Sequence, residues 1–309
     1  MTTIKKAFQS IHIISIASFV ILTILFANQS FAQDTKTEEN TPVTGVFNSG
    51  TFMENQTVVL LPKNTFECVI NHRFGKLGDG VKELFGIYSP SNIRIGVNYG
   101  ITNKLQIGLG TTKFNKIQDL NYKYSIFEQT TNNKMPVSIV YFGTLSYDAR
   151  EEATSFSYDN FSFSHRLSYF NEIMVSRKFC DFFSLQIAAT HTHLNVVESA
   201  SEVKEDALRR NDQFGMSALG KLNLTPTIAF TFEYDKNFSL ITKKVTDKFQ
   251  EVKPNFSFGF ENATAAHSFQ IFISTAESID YARNMAYNQN PFTSKGLMLG
   301  FNITRVFYK

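Results

Sequence analysis

The stretch NIRIGVNYGITNKLQIGLG, Asn92 to Gly110, alternates twice around a central GITNK. One set of residues is Ile93, Ile95, Val97, Tyr99, Leu105, Ile107 and Leu109; the other is Asn92, Arg94, Gly96, Asn98, Gln106, Gly108 and Gly110. Successive side chains of a strand point to opposite faces, so a period of two predicts a hairpin with one apolar face. That face meets either a protein core or lipid.

The polar faces of this and similar stretches separate the two. A half-buried sheet in a soluble protein turns Lys, Glu and Asp to water. Here the polar sets are small and neutral: Ser184, Gln186, Ala188, Thr190 and Thr192; Thr227, Ala229 and Thr231 with the single charge Glu233; Gln106, Gly108, Gly110 and Thr112. The opposite sets are Phe183, Leu185 and Ile187; Ile228, Phe230, Phe232 and Tyr234; Leu297, Leu299, Phe301 and Ile303. Glycine weakens a strand unless another element approaches it closely, and a narrow barrel interior supplies that reason. A soluble calyx is the alternative, but its exterior would be charged, whereas Phe, Leu and Ile suit lipid.

Twelve such segments lie near 64–74, 92–99, 105–112, 120–129, 137–147, 161–178, 183–197, 212–224, 227–235, 254–261, 267–274 and 296–307. Most match the ~9–11 residues with which a tilted strand crosses a bilayer. The connections between them alternate long and short, with one tie at about seven residues. Short turns at the periplasmic rim and long loops outside produce this rhythm. The expectation is an all-β, antiparallel up-and-down transmembrane β-barrel of about 12 strands, both ends periplasmic. One misjudged hairpin makes it ten or fourteen. The last segment ends on Phe307, a near-terminal aromatic, followed by Tyr308 and Lys309.

The start of the chain reads as a targeting signal. Lys5 and Lys6 precede an apolar run from Ile11 to Ala27, and Ser30-Phe31-Ala32 forms a small-x-small site. This predicts a signal peptide over 1–32, cleavage after Ala32 and residence in the cell outer membrane. No Cys follows the site, which argues against a lipid anchor. Residues 33–63 form a polar segment, either flexible or folded into the lumen, and 64–309 form the barrel. The chain holds 32 Phe, no Trp and 18% charged residues, as a lipid-facing barrel requires. Loss of Lys5 and Lys6 lowers the net charge from +3 to about +1. No basic stripe with interleaved aromatics is present, so a nucleic-acid partner is not expected. Cys68 and Cys180 fall in distant elements and read as free thiols.

NHRFGKL (71–77), LFGIYSPSNIRIGVNYGIT (84–102) and LQIGLG (105–110) resemble an uncharacterised β-barrel family of Bacteroidota-type bacteria, a domain of unknown function. The resemblance is strongest over about residues 46–130. It implies an outer-membrane barrel and carries no activity or substrate.

Candidate chemistry is sparse. By phase and direction Arg73, Arg94, Lys123, Arg166 and Lys253 face inward near the outer mouth, with Glu233 the one acid placed at that level. A basic ring favours anions. The first expectation is therefore a narrow pore for small anionic solutes. A non-conducting structural or interaction barrel, using its long loops or periplasmic segment, is the alternative. An outer-membrane lipid hydrolase comes a distant third, because Ser164 and His165 are sequence neighbours and point apart in a strand. His191 and His193 share a face at metal-compatible spacing, with no third ligand in the sequence nearby, and His72 and both of them read as rim residues. Acidic loop residues Glu151, Glu152, Glu198, Glu202, Glu205 and Asp206 read as solvated charge. No cofactor, metal or catalytic constellation is expected; the partners are outer-membrane lipid and a small anionic solute.

Overall fold

The computed structural model describes residues 40–151, 162–197, 211–238, 252–276 and 278–308. The expected signal peptide and the acidic residues 152 and 198–206 lie outside them. The strands are β1 (Phe66–Lys76), β2 (Asn92–Thr102), β3 (Leu105–Thr112), β4 (Ile117–Phe127), β5 (Ser138–Asp148), β6 (Leu167–Lys178), β7 (Phe183–Leu194), β8 (Asp212–Asn223), β9 (Ile228–Asn237), β10 (Asn255–Ala263), β11 (His267–Ser274) and β12 (Met298–Phe307). Each pairs antiparallel with its neighbours in sequence, and β12 pairs with β1, so the sheet closes into a barrel of twelve strands. The expected fold class and strand count are those observed. Closure removes both sheet edges, and with them the unpaired backbone groups that lipid cannot satisfy.

The opening stretch forms β2 and β3. Val97 pairs with Leu109 and Tyr99 with Ile107, while Gly96 pairs with Gly110 and Asn98 with Gly108. Burial runs opposite to that of a soluble protein. Ile95, Val97 and Leu109 are 50%, 46% and 64% exposed, whereas Arg94, Asn98 and Gln106 are buried. The same inversion holds around the barrel: Phe66, Leu120, Ile173, Phe214, Phe260 and Ile271 face out, and Glu67, Glu172, Gln186, Ser217 and Glu261 face in. Aromatic pairs Phe66–Tyr99, Tyr122–Tyr141 and Phe230–Phe260 brace neighbouring strands on the outer wall. Such cross-strand pairs each add roughly 0.2–1 kcal/mol.

Connections 103–104, 179–182, 224–227 and 264–266 lie at the end that also holds both ends of the barrel chain. This turn end corresponds to the periplasmic rim of an outer-membrane barrel. The connections that leave β1 at Lys76, β5 at Asp148, β7 at Leu194, β9 at Asn237 and β11 at Ser274 start at the other, loop end. The rhythm breaks where the sequence showed its tie. β4 starts at Ile117 rather than 120, shortening the loop-end connection to 113–116, and 128–137 is long for the turn end. The cause of the second is a partner: Pro42 bridges Thr130, and Val43 N donates to Gln129 O at 2.8 Å. β6 begins at Leu167, not 161, because Phe163–Arg166 curl into a 3-10 turn. Among the described residues no helix is long and apolar enough to cross a membrane. Cys68 and Cys180 are free and exposed.

Candidate functional site

The bore of the barrel is occupied by the chain itself. From Thr41 the segment passes the 128–137 turn, climbs to a tip at Phe52–Asn55 and returns to β1. Phe52 N donates to Asn55 O at 2.9 Å, Thr51 bridges Gln56, and Thr57 N donates to Gly50 O at 3.0 Å. The segment is thus a hairpin whose two arms both open toward the turn end.

Wall side chains hold its main chain. Lys221 Nζ donates to Gly45 O at 2.9 Å, and Lys123 Nζ donates to Gly50 O and Val59 O at 3.0 and 3.1 Å. Gln270 Nε2 reaches Thr51 O, and Asn302 Nδ2 reaches Phe52 O and Met53 O. Gln186 accepts from Val58 N and donates to Gln56 O; Gln106 accepts from Leu61 N. At the tip, Arg73 Nε and Nη2 grip both Glu54 oxygens at 2.9 Å, and Nη2 also donates to Met53 O. A hydrogen bond of this kind contributes about 0.5–1.5 kcal/mol net, and more where one partner is charged. The hairpin also has an apolar side. Val46, Phe47, Phe52, Met53 and Val58 pack against Val140, Phe142, Phe170, Met174, Leu219 and Phe272, which break the polar inward phase of their strands.

From the loop end the β11–β12 connection dips inward as helix α1 (Tyr281–Tyr287), with Ala282, Met285 and Ala286 buried. Asp280 caps it: its carboxylate accepts from Arg283 N at 2.9 Å and from Ser146 Oγ at 2.8 Å. Burial raises the Asp280 carboxyl above its ordinary range despite those bonds. Tyr281 lies against Phe142 and Phe170, and burial pushes its phenol up to about 12.

The five residues expected to form a basic ring do not form one. Arg73 and Arg94 lie in the loop-end third, each paired with an acid: Glu54 for Arg73, and Asp119 for Arg94 at 2.6 Å. Lys123 pairs across the sheet with Gln106 and sits in the turn-end half, since β4 begins three residues earlier than expected. Arg166 lies in the 3-10 turn before β6, donating to the carbonyls of Asp148 and Arg150 and facing the Tyr147 ring. Lys253 precedes β10, its backbone paired with Asn288. Glu233 is not alone at its level either, because Glu54 N donates to it and Asp235 follows in the same phase.

The outer-wall candidates settle as follows. His72 faces outward, stacked on Phe301 at 4.9 Å and beside Phe74 at 4.4 Å. His191 and His193 share one oxygen of Asp212, at 3.0 and 2.8 Å. His165 Nδ1 accepts from Ser162 N, and Ser164 Oγ lies against Ser162 Oγ. The strand partners of His191 and His193 are Asn171, Tyr169, Phe214 and Asp212, none of them serine.

The sequence reading places Gln186 on the inward face without its partner and does not single out Lys221, Asn302, Gln270 or the apolar stripe. The signal available was the coincidence of two irregularities: inward-phase Phe142, Phe170, Leu219 and Phe272, and the apolar Val46-Phe47, Phe52-Met53 and Val58–Leu61 in a polar segment.

A closed antiparallel barrel with an apolar exterior and a polar, filled interior is a membrane-bound barrel of the outer-membrane type. The chain belongs to the family described as Membrane bound beta barrel domain (DUF5777), which it matches over residues 47–307. That agrees with the resemblance read from residues 71–110. Among solved structures it is similar to an outer membrane channel from Pseudomonas putida F1, with TM-score 0.50 and 12% identity over 81% of this chain and 97% of that one. It is also similar to the NanC porin, with TM-score 0.49 and 8% identity over 79% and 99%. Likeness at these identities concerns the fold. No curated protein matches the chain.

Proposed function

We propose that this protein is an outer-membrane channel held shut by its own N-terminal hairpin, opening when the hairpin withdraws toward the periplasmic side. The observation that carries this is the way the hairpin is held. Side chains that line the bore grip its backbone through Lys123, Lys221, Asn302, Gln186 and Gln270, while the barrel closes without it through β1 and β12. Once the hairpin leaves, the same polar groups are free to face water.

Charge along the wall bears on the solute. Against Arg73, Arg94, Lys123 and Lys221, the buried inward wall carries Glu67, Asp119, Asp148, Glu172, Glu233, Asp235 and Glu261 among the described residues. A lining in which acids outnumber bases favours cations or neutral polar solutes. This reverses the anion preference expected from the basic residues alone. Export through a signal peptide cleaved after Ala32 belongs to the same proposal.

Planar-bilayer recording of the refolded barrel tests it. The full mature chain should stay closed, and a chain lacking residues 40–61 should conduct, with a reversal potential on the cation side. A deletion variant that still shows the heat-dependent gel shift of a folded barrel, yet passes no current, would favour a non-conducting structural barrel.

A further inference from the structure

At the loop end, β1, β2 and β3 are crowned by the 77–91 loop and the 113–116 turn. The loop leaves large apolar side chains in the open. Val81 is 76% exposed and Tyr88 72%, and Leu84, Phe85 and Ile87 between them are exposed as well. So is Phe114 in the turn. The backbone beneath these side chains is firmly bonded. Phe85 N donates to Gly80 O at 2.8 Å, Tyr88 N to Glu83 O at 3.1 Å and Gly75 N to Gly86 O at 2.8 Å. Leu84 and Phe85 hold positive φ, 44° and 54°, which bulky residues rarely adopt. The loop is thus built in a shape that keeps its apolar side chains out of the protein interior.

Basic side chains share that sector. Lys76, Lys82, Lys113, Lys116 and Lys295 are all exposed, and among the described residues none of them makes an ion pair. Lys113 Nζ donates to Ser91 O at 3.0 Å, Lys116 N donates to Lys113 O at 3.2 Å, and the Lys295 backbone lies against Gly78. The acids of the loop are Asp79 and Glu83, and Asp79 already accepts from Lys76 N and Ser89 Oγ. Register ties the sector to the outer wall. Phe301 pairs with His72 and His72 with Ile93, and Lys113 N donates to Ile93 O at 2.9 Å. Lys113 therefore ends a row of side chains that crosses the lipid-facing surface.

We propose that this rim sector binds an anionic lipid of the surrounding leaflet, with Lys82, Lys113 and Lys116 holding its phosphate and Phe114 and the 84–88 side chains packed among its acyl chains. Lysines attract phosphate as point charges, without the planar fork that a bidentate partner requires. Aromatic rings suit the same level, where one end is apolar and the other wet. Continuity with the apolar wall favours a lipid over a soluble partner, which cannot follow the row below the rim.

The test does not involve conductance, so it stands apart from the channel reading. The chain has no tryptophan, and Tyr88→Trp supplies a single reporter. The mature barrel carrying it is refolded into vesicles of phosphatidylcholine brominated high on its acyl chains, which quenches a ring in contact with lipid. Unbrominated phosphatidylcholine or phosphatidic acid is then mixed in, and the recovery of fluorescence gives their relative occupancy at the loop. We expect quenching, and a preference for phosphatidic acid of about fivefold or more. That preference should vanish in Lys82→Gln/Lys113→Gln/Lys116→Gln, with folding checked by the heat-dependent gel shift. In the unsubstituted lysine background it should also fade at about 1 M salt. An unquenched reporter would place the loop in water and overturn the proposal. Equal recovery with the two lipids, or a preference that survives the triple variant or high salt, would remove the phosphate contact and overturn it equally.

Discussion

Gln56 Nε2 donates to the Tyr281 hydroxyl at 2.6 Å, joining two residues 225 apart in sequence. One belongs to the hairpin that rises from the turn end, the other to the helix that dips from the loop end. The hairpin and the helix are therefore in contact inside the barrel.

That contact should appear as coupling. Gln56→Ala and Tyr281→Phe each remove one hydrogen bond, costing about 0.5–1.5 kcal/mol. We expect the double variant to cost less than the sum of the singles, because both delete the same bond. Protease accessibility of the hairpin in the refolded barrel measures it. Strict additivity would show that the two elements dock independently.

Arg73 and Glu54 form a bidentate pair buried at the hairpin tip. Arg73→Met leaves Glu54 buried without its cation, a loss of about 3–5 kcal/mol. Adding Glu54→Gln should recover most of it. Denaturant midpoints of the three variants decide; a double variant as weak as Arg73→Met would mean that the guanidinium acts mainly through Met53 O and the Phe272 ring, over which it lies at 4.6 Å.

The Arg94–Asp119 pair lies over glycine. A Cβ at Gly110 would stand 2.3 Å from Arg94 Nη2 and 2.4 Å from Asp119 Oδ2. Gly110→Ala should therefore destabilise by about 1–3 kcal/mol, the range of an overpacked core. In the Arg94→Ala background the same change should cost clearly less. Equal costs would mean that the glycine serves the strand and not the ion pair.

Docking of α1 should weaken as pH rises through the acid range. The Asp280 carboxyl is raised above 3.8 in the docked loop. Below 3.8 both states hold the proton and docking is strongest; between that value and the raised one only the docked loop keeps it, so docking falls across the window and then levels. Hydrogen exchange at 281–287, corrected for intrinsic rates, should show more protection at about pH 3 than at about pH 7. Asp280→Asn should remove the slope.

The outer wall is tested by charge. Leu109→Lys sets an ammonium in the lipid band and should cost about 2–4 kcal/mol in vesicle folding. A cost near zero would contradict a lipid contact at Leu109.

Much of this architecture is legible in the sequence because a two-residue period survives lipid as well as water. Ile95, Val97, Leu109 and Phe301 declare the outer face, and Gly96 and Gly110 the crowded inner one. The lumen was not legible, for two reasons. Its partners are non-local: Asp119 reaches Arg94 across β3, and Glu54 reaches Arg73 from the hairpin inside the bore. Small boundary errors also hid acids. A strand begun at 120 leaves Asp119 in a loop, and Asp235, at the end of the 227–235 segment, continues the inward phase of Glu233. Missing those acids left Arg73 and Arg94 looking like free charge.

Asn302 stands on β12, the strand that closes the barrel against β1, and its amide holds Phe52 O and Met53 O. The final seam and the grip on the hairpin thus share a residue. The consequence concerns the order of assembly. A hairpin that is already in place offers β12 a template as it zips up, whereas a barrel sealed first must admit a folded-back segment through its turn end. Biogenesis by the first route builds the barrel around its own hairpin.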